Sequence, residues 1–117
     1  MIPEVRRAIA FIVARANSPQ RRSAVYDYSV GGYTHFSGTV RDGAVSLFDH
    51  SAGAHIQGSL HQFHHYGTGG QIQLVIRGNQ FQGFDFSSGN HFQGTVRRQN
   101  VQLYDFGSGS FFQFLVT

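Results

Sequence analysis

Four aspartates and three histidines recur at repeated places in this chain, and they are the residues with which it could do chemistry. Asp27, Asp49, Asp85 and Asp105 each stand just before a small-residue loop, and His35, His55 and His91 stand just after one. A carboxylate held across a hairpin from an imidazole favours the charged ring, and the pair could serve acid/base chemistry or bind a divalent metal. A second group, His61, His64 and His65, follows closely. Strand alternation places His61 and His65 on one side and His64 on the other, so a transition-metal site would draw on His55, His61 and His65.

A simpler chemistry competes with both. An aspartate preceding Ser-x-Gly can accept hydrogen bonds from the N–H groups of its own loop, and a motif repeated four times exceeds what one active site needs. On that reading the aspartates shape turns, and no catalytic residue, cofactor or metal is implied. The Asp/His metal-dependent enzyme stays as an alternative. Other enzyme signatures are missing from the sequence: it has no nucleophile elbow, no phosphate-binding Gly-Lys-Ser/Thr loop and no dinucleotide fingerprint, and its one Glu is Glu4.

These residues are positioned by a repeat. FQGFDFSSGNHFQGTV (81–96) aligns without a gap to VSLFDHSAGAHIQGSL (45–60) and VQLYDFGSGSFFQFLV (101–116). AVYDYSVGGYTHFSGTV (24–40) aligns if two residues are admitted around Gly31 and Gly32, and HQFHHYGTGGQIQLVI (61–76) is a worn copy with His65 in the Asp position. Recurrence at this period marks a supersecondary unit that cannot bury its apolar face alone. Each copy alternates with period two on both sides of an Asp-x-Ser/Gly-x-Gly loop, which predicts a β-hairpin. The links Arg41-Asp42-Gly43, Arg77-Gly78-Asn79 and Arg97-Arg98-Gln99-Asn100 are short and turn-like.

The expected fold is therefore mainly β: an N-terminal amphipathic helix followed by an antiparallel hairpin-repeat meander that curls into a closed or nearly closed barrel. A β-sandwich is the alternative. Residues 55–66 contain only Gly58 as a turn residue, so they read as one long or bent strand, giving about nine strands. Residues 1–22 form a helix and basic linker packed on the β domain, and 23–117 form that single domain. In the helix, Ile2, Val5, Ile9, Ile12, Val13 and Ala16 make an apolar stripe opposite Glu4, Arg7, Phe11 and Arg15. It is expected to cover an opening or a face of the sheet with its arginines in water, and to stop at Asn17, Ser18 and Pro19. A cleaved leader is disfavoured by the short apolar run and by Glu4 where positive charge is wanted.

Loop length sets the faces. A four-residue loop at Ser51–Ala54 pairs His50 with His55 and gathers Val45, Leu47, Asp49, Ile56, Gly58 and Leu60 on one face; a bulged three-residue loop would instead oppose Asp49 and His55. The first choice collects the aliphatic residues. It leaves Tyr26, Tyr28, Phe48, His50, Phe84, Phe86, Tyr104, Phe106 and Phe111 on the other face, interleaved with Gln57, Gln73, Gln93 and Gln113.

Composition narrows the function classes. Of the 117 residues only 13% are charged and 15% are aromatic, so the surface must include neutral polar or apolar groups, which suits self-association. The absence of cysteine rules out disulfides and leaves the redox compartment undetermined, with a cytoplasmic setting as the default. The net charge of +3 divides into +4 over residues 1–22 and −1 over the rest, so the repeats lack a basic stripe for nucleic acid. No run is long enough for a transmembrane helix. The sequence thus points to a noncatalytic binding or assembly module, a homo-oligomer joined through the aromatic/Gln face to itself or to another protein. The alternative is a small-ligand or carbohydrate-binding β-barrel.

Overall fold

A computed structural model describes every residue except Pro19. Pro at the first helical turn and Glu4 near the positive end of the helix dipole start α1 (Pro3–Asn17). Ser18 leaves it in an extended conformation, φ −140° and ψ 134°; the expected stop at Pro19 lies outside the described residues. Ten antiparallel strands follow: β1 (Ala24–Asp27), β2 (Gly32–Arg41), β3 (Ala44–Asp49), β4 (Ala54–Ser59), β5 (Gln62–His65), β6 (Gly70–Arg77), β7 (Gln80–Asp85), β8 (Asn90–Arg97), β9 (Asn100–Asp105) and β10 (Ser110–Val116). Each pairs with its sequence neighbours, and β1 pairs with β10 to close the barrel.

The count of ten corrects the expected nine. Residues 55–66 do not run as one strand: Ser59 pairs with Gln62 across a two-residue turn at Leu60 and His61. This turn needs no loop glycine because Ser59 closes it, its hydroxyl accepting from the Gln62 N–H at 3.1 Å and donating to the Gln62 carbonyl at 3.2 Å. The register is also displaced from the one expected, with a loop of the same length. Asp49 pairs with Ala54 and Phe48 with His55, so the four-residue loop is His50–Gly53. The faces survive this shift because it moves the pairing by two residues, one full period of side-chain alternation. All five loops have four residues, at 28–31, 50–53, 66–69, 86–89 and 106–109. The two extra residues of the first copy fall in β2 rather than in its loop.

The helix does not lie across the barrel; it threads it. Val5, Arg6 and every residue from Ala8 to Ala14 are buried, on all sides of the helix, in one core with Val25, Phe36, Leu47, Ile56, Phe63, Ile72, Leu74, Phe92, Leu103 and Phe114 from the inner wall. A barrel of about eight strands is just filled by its own side chains, so ten strands leave room for another element. Phe11, assigned from the sequence to the helix's polar side, is 1% exposed and stacks on Phe36 with ring centroids 4.7 Å apart. Where the wall must come close, glycine lets it. A Cβ at Gly83 or Gly94 would lie 2.0 Å from a neighbouring backbone oxygen and 2.5 Å from the ring of Phe92 or Phe81, its cross-strand partner.

The helix N-terminus and the five hairpin loops share one end of the barrel, since Arg7 meets Asp49 there. Asn17 reaches the Gly78 carbonyl, in the link between β6 and β7, at the other end. A helix on the outer surface would tolerate loss of Phe11, whereas one inside the lumen would not. Phe11→Ala is therefore expected to cost about 3–5 kcal/mol in urea unfolding.

Candidate functional site

The inner wall carries every repeated carboxylate. Asp27, Asp49, Asp85 and Asp105 close β1, β3, β7 and β9 with side chains turned into the loop end of the lumen, and His65 takes the same place on β5. One oxygen of each aspartate accepts the N–H two residues ahead: Ser29 at 2.9 Å, Ser51 at 2.9 Å, Ser87 at 3.1 Å and Gly107 at 2.9 Å. The turn-shaping role is thus met in all four. The second oxygens of Asp49 and Asp105 meet cations. Arg7 donates to Asp49 through Nε at 3.1 Å and Nη2 at 3.0 Å, and the Met1 amino group lies 3.0 Å from Asp105. Arg6 is buried beside them, with its guanidinium 3.8 Å from the Phe112 ring centroid and a hydrogen bond to the Met1 carbonyl. Burial lowers its pKa, and the charges of Asp27, Asp105 and Glu4 oppose that shift.

Asp and His do not meet. Asp49 points inward while its neighbour across the hairpin, His55, points outward, and the same holds for Asp85 and His91. The histidine that aligns with these two in space is not His35: Tyr33 occupies the corresponding place opposite Tyr26. His55, His61 and His65 are separated as well, His55 on the outer wall, His61 in the β4–β5 turn and His65 in the core. Among the described residues no group of three His, Cys, Asp or Glu side chains could hold a metal ion.

Outside, the same hairpins build a crown of rings. Tyr26, Phe48, His64, Phe84 and Tyr104 each end a strand on the outer face, half-buried. Each packs on the ring two residues ahead, Tyr28, His50, Tyr66, Phe86 or Phe106, at 4.5–5.0 Å between centroids. Four also pack on the ring directly across the hairpin, Tyr33, His55, His91 or Phe111, at 4.7–4.9 Å. In the worn repeat the cross-strand place is held by Gln71. Most of these contacts are edge-to-face, the geometry ring quadrupoles prefer. All eight aromatic and histidine residues singled out from sequence stand in this crown. Phe111, expected on the same face, stands here too; Tyr33 and Tyr66 were missed as members, although Tyr33 lies seven residues after Tyr26, as Phe111 does after Tyr104, and Tyr66 lies two residues after His64.

The crown is exposed and uncharged. Tyr28, Tyr33, Tyr66, Phe86, Phe106 and Phe111 are 52–63% exposed, and none of the five loops holds a charged residue. Beyond it, toward the other end, runs a belt in which Gln62 pairs with Gln73, Gln82 with Gln93 and Gln102 with Gln113. Two grooves cross belt and crown. One, of about 350 Å³, lies among Gln82, Gln93, Gln102, Tyr104 and Phe111, and the other, of about 560 Å³, among Gln73, Phe84, His91, Gln93 and Phe106. Among the described residues no helix is long and apolar enough to cross a membrane.

Comparison with known proteins finds no matching family, curated protein or solved structure.

The inner ring has two measurable consequences. Asp49→Asn keeps an acceptor for the loop but strands the Arg7 charge, so it should cost about 3 kcal/mol in chemical unfolding. Asp85→Asn, where the carboxylate meets only Ser87 and Ser88, should cost under about 1 kcal/mol. His65 supplies the second. Burial pushes its pKa below 6.5, Asp49 opposes the shift and Arg7 adds to it, and neither ring nitrogen has a hydrogen-bond partner. The unfolded chain takes up this proton more readily than the folded one. The stabilising contribution is therefore complete above the unfolded value of 6.5 and is lost as pH falls from there through the folded pKa. His65→Met should flatten the fall in urea midpoint between about pH 7 and about pH 5.

Proposed function

We propose that the protein is a noncatalytic assembly module that associates with further copies of itself through the aromatic crown. The observation that carries this reading is the ring of half-exposed Tyr and Phe side chains, repeated hairpin by hairpin and free of charge. Burying one such ring against a partner removes apolar surface from water and contributes about 1–2 kcal/mol. No charge has to be desolvated in the loops to do so. Strand addition cannot serve at the crown, because the barrel is closed there and association must use side chains. The inner carboxylates support the noncatalytic part, being engaged by their own loops and two of them also by cations.

Carbohydrate binding is the second reading, favoured by the two outer grooves, where Tyr and Phe faces stand beside glutamine amides. The lumen is filled by α1, so a ligand would sit on the outer wall and not inside the barrel.

Sedimentation of the whole chain across a concentration series separates the readings. Self-association should appear and be lost in Phe86→Ser/Phe106→Ser/Phe111→Ser, with little change in thermal unfolding because these rings are exposed. A protein that stays monomeric at high concentration, yet whose tyrosine fluorescence responds saturably to oligosaccharides, would replace assembly by the second reading.

A further inference from the structure

The end of the barrel opposite the crown has an incomplete wall. β1 is four residues long and covers only the first part of β2, so beyond Phe36, whose N–H donates to the Ser23 carbonyl at 2.8 Å, no strand faces β2 on that side. Amides along a strand alternate in direction, and Phe36 points toward β1. Those of Gly38 and Val40 therefore point the same way, into the gap. A slot of about 580 Å³ opens there, reaching in to Phe36 and lined by Arg15, Arg21, Arg22, Arg41, Thr39 and Thr117.

Four arginines thus line one opening. The two ion pairs among the described residues, Met1–Asp105 and Arg7–Asp49, involve none of them. Arg15 is held over the slot, donating to the Arg22 carbonyl at 2.9 Å with its guanidinium 5.7 Å from the Phe11 ring centroid. Burial lowers its pKa and the charge of Arg21 lowers it further, so these two cations repel one another. Arg22 Nε is buried with no hydrogen-bond partner. A buried donor without an acceptor, next to three further cations, calls for an oxyanion. Arginine forks and strand amides together suit the several oxygens of a phosphoryl group better than a single carboxylate.

We infer that this slot binds a phosphorylated small molecule of nucleotide size, its phosphoryl oxygens held by Arg15, Arg22 and Arg41 and by the amides of Gly38 and Val40. The site lies away from the crown, so ligand binding and assembly are separate properties.

The test is calorimetric titration of the full chain with inorganic tripolyphosphate, followed in parallel by amide resonances. Saturable one-to-one binding is expected, with the Gly38 and Val40 amides shifting and adenosine triphosphate competing. Arg22→Gln/Arg41→Gln should weaken binding about tenfold or more, as loss of charge-assisted hydrogen bonds requires. Arg77→Gln/Arg97→Gln removes the same charge elsewhere and should change it less than about threefold, as screened charges at a distance do. Thr39→Asp, at an exposed position that leaves the core alone, should abolish binding. Equal weakening by both double variants would reduce the effect to net charge and overturn the site. So would binding to single-stranded RNA or phosphatidylglycerol vesicles with none to tripolyphosphate, since an extended polyanion surface is then at work.

Discussion

The constraint on which the rest of this structure depends is the width of its barrel. Ten strands enclose more space than their inward side chains can fill, and an empty lumen would forfeit both the hydrophobic and the dispersion terms that hold a small domain together. The chain fills that space with its own first helix. A helix in such a place must be apolar on every side. Here Ala8, Ala10 and Ala14 join Ile9, Phe11, Ile12 and Val13 in complete or nearly complete burial.

Filling the lumen creates an electrostatic problem at the loop end, where the helix brings in Arg6, Arg7 and the amino group of Met1. The hairpin aspartates solve it with atoms they already have. One carboxylate oxygen holds the loop, and in Asp49 and Asp105 the other faces a cation. A single residue type in a repeated place therefore does two structural tasks. His65, in the worn copy, stands in the ring without a negative charge, close enough to Arg7 for its charge to matter.

With the interior committed to stability, the outer wall is the surface left for contacts, and its two ends differ in character. The crown is aromatic and neutral, supported by the edge-to-face packing of each exposed ring on a half-buried one. The far end gathers Arg15, Arg21, Arg22 and Arg41 about the stretch of β2 that extends beyond β1. Both features follow from the repeat, one from its regularity and the other from its failure at the short β1.

The sequence by itself determined the hairpin unit, the Asp-capped loops, the inward aliphatic face and the outward aromatic one, because these depend on period-two alternation and on local hydrogen bonds. Nine crown residues were legible for that reason, as was a closed antiparallel barrel. Ser59 hid one turn, since a side-chain hydroxyl did the work usually read from glycine. The place of the helix was decided only by the tertiary structure. A stripe of Ile and Val with arginines opposite fits a surface helix equally well, and nothing local reports the width of the lumen. The choice between the two registers that the sequence left open, and with it the separation of Asp from His, was likewise decided across strands. Whether a repeated residue faces a partner or the far side of a wall depends on that pairing, which no single strand carries.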